Sequence, residues 1–131
     1  MDSRQLFDLA KKASENAYSP YSNIKVGAAL LCKNGNIYTG VNVENSSYGA
    51  TICAERTAFT KAISEGEREF EKIAVAGAIR NLVPCGMCRQ FMSEFNEEIG
   101  IVYEDENILL KEAQTIFPNT LLAKENLKIT L

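Results

Sequence analysis

Apolar side chains recur at helical spacing at the start of the chain. Leu6, Leu9, Ala10, Ala13 and Ala17 share one face across residues 3–17, which predicts an amphipathic helix. It stops before "YSPYS", because Pro20 disfavours helix in the residue ahead of it. Next, "IKVGAALLC" and "NIYTGVNVE" flank "KNGN", an Asn-Gly turn signal, and together read as a hairpin. In its first strand Val26, Ala28, Leu30 and Cys32 lie on one face, and Gly27, Ala29 and Leu31 on the other. Both faces are apolar, so this strand is central and covered on two sides.

A second helix is expected over residues 51–65, stopped by Gly66. "KIAVAGAI" reads as another buried strand. "NLVP" then leads into a third helix with Met87, Phe91 and Phe95 at i, i+4 and i+8. "IGIVYE" is a further strand and "EDEN" the turn after it. Residues 107–110 are expected as a short strand and are followed by a short helix ending near Pro118. The last dozen residues carry no assignable pattern. Strands alternating with helices predict one α/β domain over residues 1–131, with helices on both faces of the sheet.

Composition narrows the class. With 131 residues the chain has the size of one domain with a real core. Hydrophobic residues make up 46% and charged residues 24%, and no apolar run is long enough to cross a bilayer. No basic start precedes a long apolar stretch, so the expected location is the cytoplasm, where thiols stay reduced. A net charge of −3 without a dense Lys/Arg run lacks the footprint of a polynucleotide binder and suits a small, weakly charged substrate. The chain has no histidine, which excludes Ser-His-Asp and Cys-His catalysis and any His-ligated metal.

The chemistry therefore concentrates in "CAER" at residues 53–56 and "PCGMCR" at 84–89. Both fall at the beginning of an expected helix, where partial positive charge favours thiolate. Pro84 suits a first helical turn, and Cys85 and Cys88, three apart, share a helix face and can hold one ion. Cys53 offers a third sulfur. Three thiolates are one short of a closed structural zinc site, whereas a catalytic site keeps a position for water. Cys32, the remaining cysteine, reads as core within an apolar strand. Glu55 can shuttle a proton if a helix tip lets it and Cys53 face the same space. Arg56 adds positive charge beside a centre that, as Zn2+ with three thiolates, carries a net −1.

"CAERTA" with "PCGMCRQ" resembles the zinc-dependent cytidine deaminase family in its small, all-cysteine form, together with "YSPYS", "VGAAL" and "GVNVENSSYGA". The superfamily signature is His-x-Glu with Pro-Cys-x-x-Cys, three cysteines being a variant, with the Glu as general acid/base. The resemblance implies a three-layer α/β/α fold around a mixed sheet of about five strands. It implies one Zn2+ per chain on Cys53, Cys85 and Cys88, catalysis by Glu55, and Arg56 bonded to the thiolates. It further implies that Asn42, Val43 and Glu44 bind ribose and that Ile24 lies against the base. Tyr48 would complete a neighbouring subunit's site in a homotetramer. The implied reaction is hydrolysis of cytidine, and of deoxycytidine, to the uracil nucleoside and ammonia in pyrimidine salvage.

Two positions depart from that family. Ile24 stands where phenylalanine is common, and the tail after "IFP" lacks a closing aromatic, Phe117 reading instead as core. These departures keep a second substrate open, another aminopyrimidine nucleoside such as blasticidin S. From other classes, "PCGMC" could be a redox dithiol, or Cys32 could close a non-catalytic zinc site. The dithiol leaves Cys53, Glu55 and the "NVE" segment unexplained, and the zinc module predicts metal without activity, lost in Cys32→Ala.

Overall fold

The computed structural model describes residues 1–78, 84, 86–104, 110–114 and 128–130. The first helix, α1 (Ser3–Ala13), opens with a capping box. The Asp2 carboxylate accepts the Gln5 N–H at 2.8 Å, and the Gln5 side chain accepts the Asp2 N–H at 3.1 Å. Its buried residues are Leu6, Phe7 and Ala10. A short 3-10 turn at Ser14–Asn16 ends it, and Ala17, expected on the helical face, is extended at ψ 144°, so the helix stops earlier than the bar that Pro20 sets on the residue ahead of it.

The expected hairpin is formed by β1 (Val26–Cys32) and β2 (Ile37–Val41), with Gly35 at φ +94° in the turn. β1 also pairs antiparallel with β3 (Phe70–Gly77), so it is central. β3 pairs in parallel with β4 (Gly100–Glu104), and β5 (Leu110–Gln114) and β6 (Lys128–Thr130) follow antiparallel. The described sheet is mixed, with order β2-β1-β3-β4-β5-β6. It has six strands where about five were expected, the sixth coming from the unassigned C-terminal stretch. β5 also begins at Leu110 and extends into residues expected as helix. Lys, Glu, Ala and Gln favour helix intrinsically, and pairing with β4 overrides that weak preference. Residues 115–118, including Phe117, lie outside the described residues.

The helices cover both faces. α1 packs Leu6, Phe7 and Ala10 against Ala29, Leu31, Ala74 and Val102. On the other face, α2 (Ala54–Ser64) and α3 (Gly86–Phe95) pack Ala58, Phe59 and Met92 against Ala28, Leu30 and Ile73. Phe59 touches Phe70, Phe91 and Phe95, with ring centroids 4.8, 6.0 and 5.8 Å apart. Met87 departs from the expected stripe and stays 65% exposed. The inward line of α3 runs through Cys88 and Met92, so Phe91 and Phe95 flank it toward α2, and Met87 lies a turn beyond that aromatic cluster.

Two glycines set the helix distances. A Cβ on Gly27 would meet the Ala10 carbonyl oxygen at 2.0 Å, and one on Gly40 the Ala58 nitrogen at 2.4 Å. Each strand of the hairpin thus lets one helix backbone lie directly on it, α1 on one face and α2 on the other.

Candidate active site

The N-terminus of α2 organises the site. Cys53 is the N-cap, extended at φ −77° and ψ 157°, and its carbonyl accepts the first helical bond from Thr57 at 3.0 Å. It stands one residue before the helix rather than just inside it. Glu55 is the second helical residue and is 4% exposed. Two residues apart within a helix would point to different sides, but the extended cap redirects the chain. Cys53 and Glu55 accordingly line the same cavity of about 320 Å3. That size lies within the roughly 300–1,000 Å3 common for small-molecule sites.

Burial pushes the Glu55 carboxyl up to about 7. A backbone N–H bond opposes this, the Cys53 thiolate adds to it, and Arg56 pulls back. The result is an acid/base group poised near neutrality.

Arg56 joins the two thiol-bearing helices. Its Nη2 lies 3.7 Å from Cys53 Sγ and 3.3 Å from the Thr51 carbonyl oxygen, and its side chain also hydrogen-bonds Cys88. Burial pulls the guanidinium down, but its bonds to the two thiolates outweigh this and hold it above its ordinary value. Its Nε is buried with no hydrogen-bond partner. Cys88 is fully buried on α3. Two soft thiols meeting on a cation are a donor set that suits zinc. Cys85, expected as the third sulfur, lies outside the described residues, and among the described residues no three potential ligands form a cage.

Cys32 lies elsewhere. It is 1% exposed at the far end of β1 from Val26, which lines the cavity. Six residues of strand separate them by about 20 Å. Burial, then the charge of Glu67, raises its thiol to about 11, so it stays protonated as core.

The opposite wall of the cavity comes from Ser22, Ile24, Asn42 and Glu44. The segment bearing Asn42 and Glu44 is clamped on both sides. Val43 exchanges backbone bonds of 2.9 and 3.0 Å with Ile52, while Tyr18 accepts from Glu44 N–H at 2.8 Å and donates to the Asn42 carbonyl at 3.0 Å. This extended backbone turns Asn42 and Glu44 to one side. Val43, expected with them, does not line the cavity and is 37% exposed. Tyr48 is 86% exposed and lines an adjoining hollow with Tyr21, Ser22 and Glu44. Ile24, 39% exposed, lines the main cavity.

Sequence reasoning passed over Ser22 and Thr51, both of which line the cavity. The available signal was the cluster of turn formers around Pro20. The backbone there closes a turn from Asn23 N–H to Ser19 carbonyl at 2.9 Å, and Asn23 takes φ +60°, a left-handed conformation asparagine tolerates.

The family profile described as "Cytidine and deoxycytidylate deaminase zinc-binding region" matches residues 1–103. A probable cytidine deaminase of Dictyostelium discoideum is 47% identical over 123 residues, covering 92% of this chain and 83% of its own. The crystal structure of cytidine deaminase from Burkholderia pseudomallei superposes with a TM-score of 0.83 at 41% identity, covering 95% of this chain and 98% of that one. A blasticidin-S deaminase of Bacillus cereus is similar at 32% identity over 120 residues, covering 83% of this chain and 86% of its own.

Proposed function

Since this chain belongs to the cytidine and deoxycytidylate deaminase family, we propose that it is a cytidine deaminase, converting cytidine and deoxycytidine with water to the uracil nucleoside and ammonia. The observation that carries this reading is the meeting of Cys53 and Cys88 on Arg56, beside a cavity that Glu55 shares with Asn42 and Glu44. We assign one zinc ion per chain to Cys53, Cys85 and Cys88. Zinc, when bound, supplies the Lewis acidity that makes water a nucleophile near neutral pH.

The chain's own residues account for the proton traffic. Glu55, held near 7 by burial, accepts a proton from the attacking water and delivers it to N3 of the base. Protonation at N3 makes C4 electrophilic, and the water oxygen adds there. Glu55 then carries the second water proton to the exocyclic nitrogen, which leaves as ammonia while the C4 carbonyl forms. Arg56 offsets the negative charge of the thiolates. Asn42 and Glu44 hold the sugar, with Ile24 against the base.

Assembly into a homotetramer is part of this reading. Tyr48 and Tyr21 stand 86% and 58% exposed beside the cavity, a surface suited to a second copy of the chain. The setting is cytoplasmic pyrimidine salvage.

The test is the ultraviolet loss of cytidine, run beside blasticidin S, on protein assayed for zinc. Cytidine turnover with one zinc per chain is the expected result. Zinc with turnover of blasticidin S alone would shift the substrate and place the cause at Ile24, and turnover of neither would overturn the deaminase reading.

A further inference from the structure

Glu44 is the most heavily bonded carboxylate at the cavity. Its Oε1 accepts the backbone N–H groups of Tyr21 at 3.0 Å and Ser22 at 3.1 Å, and its Oε2 accepts the Ser22 hydroxyl. The direction of that last bond is fixed. The Ile24 N–H approaches Ser22 Oγ at 3.0 Å and can only donate, so the hydroxyl accepts there and turns its single proton to Glu44. A carboxylate offers about four acceptor positions. Three are filled, and the one left is on Oε2.

Asn42 is constrained in parallel. Its Oδ1 accepts the Val26 N–H at 2.9 Å, and its Nδ2 donates to the Ile24 carbonyl at 2.8 Å, leaving one N–H. One Asn42 donor and one Glu44 acceptor position thus remain, two residues apart on the same side of an extended segment, beside the second lone pair of Asn42 Oδ1. A single hydroxyl, which both donates and accepts, satisfies both.

We propose that Ser22 is a positioning residue for nucleoside recognition: its hydroxyl, oriented by the Ile24 N–H, locks the Glu44 carboxylate so that its last acceptor position receives one sugar hydroxyl. This rests on the deaminase reading above and names a residue that reading did not use. Ser22 touches no reacting atom and acts through Glu44. Consistent with this, the Ser22 hydroxyl is the largest cause that holds Glu44 below its ordinary value. Ser22 is solvent-exposed in a loop, so its replacement does not threaten the core.

The experiment compares Ser22→Ala and Ser22→Thr with wild type on cytidine and on 2′,3′-dideoxycytidine, which keeps the base and removes both ring hydroxyls. Loss of a charge-assisted bond to the positioned carboxylate is expected to raise KM for cytidine roughly tenfold with little change in kcat. The penalty should vanish on the dideoxy substrate and on a Glu44→Gln background, and Ser22→Thr should keep most of the wild-type affinity. As pH falls toward the ordinary carboxyl value of 4.5, below the limb set by Glu55, KM for cytidine should begin to rise at a higher pH in Ser22→Ala than in wild type, which a merely structural role would not produce. Equal loss on both substrates, or a penalty that survives in Glu44→Gln, would overturn the proposal while leaving the deaminase reading intact. A zinc-loaded wild type inert toward cytidine and blasticidin S alike would remove both.

Discussion

The two ends of the β1–β2 hairpin each hold a glutamate with three hydrogen bonds, and they use it differently. At the turn end Glu67 accepts from Asn34 Nδ2 at 2.9 Å, Asn36 Nδ2 at 2.7 Å and the Tyr38 hydroxyl at 2.9 Å. Every donor is a side chain, and the network ties the turn to the start of β3. At the cavity end Glu44 takes two of its bonds from loop backbone and one from Ser22. Backbone donors arrive from one side and cannot rotate away, so they leave a defined face of the carboxylate open. Both carboxyls are held below their ordinary value, chiefly by side-chain hydrogen bonds. Glu55 shows the reverse condition, raised by burial, which suits the proton exchange proposed for it. Charged acceptor, structural tie and proposed proton carrier are the same residue type in three surroundings.

The largest expected effect separates Glu55 from the other two. Glu55→Gln should cut kcat on cytidine by about 10²- to 10⁴-fold with zinc content and melting temperature retained. Near-normal turnover in that variant would mean that burial at the helix tip does not mark the proton carrier. Next comes the contrast between the hairpin ends. Glu44→Gln should raise KM roughly 10- to 100-fold without changing the melting temperature. Glu67→Gln should do the opposite, lowering the melting temperature with KM and kcat unchanged. If the two variants failed alike, the division of labour would be wrong.

Acid titration sharpens the same contrast. Because Glu67 sits below its ordinary value of 4.5, the unfolded chain binds its proton more readily than the native state. Its contribution is therefore intact above about pH 4.5 and is lost as pH falls through the lowered value. Unfolding curves between pH 6 and roughly pH 3 should show a shallower acid loss in Glu67→Gln than in wild type. The smallest effect belongs to Cys32, beside the turn end. Its raised value means that stability is full below pH 9 and declines as pH climbs toward about 11. Cys32→Ala should flatten that alkaline decline, at a cost of about 1 kcal/mol at neutral pH.

Much of this arrangement was legible in the chain itself, for identifiable reasons. β1 shows apolar residues on both faces because helices cover both, and the Asn34-Gly35 turn marks its register. The cysteine and glutamate motifs are legible because few residue types can do that chemistry without histidine. What escaped depends on non-local geometry. The extended cap at Cys53 shows only in its backbone angles, and Val43 was grouped with its neighbours although alternation turns it aside. Ser22 escaped because its partner lies twenty-two residues away. The strand at Leu110–Gln114 is made by its neighbour β4, against its own composition.

The parallel pairing of β3 with β4 bears on how the enzyme comes into being. α3, which carries Cys88, is the crossover between those strands, and a parallel pair cannot close until its whole connection exists. The hairpin and the clamped Asn42–Glu44 segment need only residues through Ile52. The hydrogen bonds that shape the Ser22, Asn42 and Glu44 wall are therefore all encoded ahead of Cys88 in the chain. The residues proposed to hold the sugar thus precede along the chain the helix that completes the thiol pair, and that helix is set in place only when β4 closes the parallel half of the sheet.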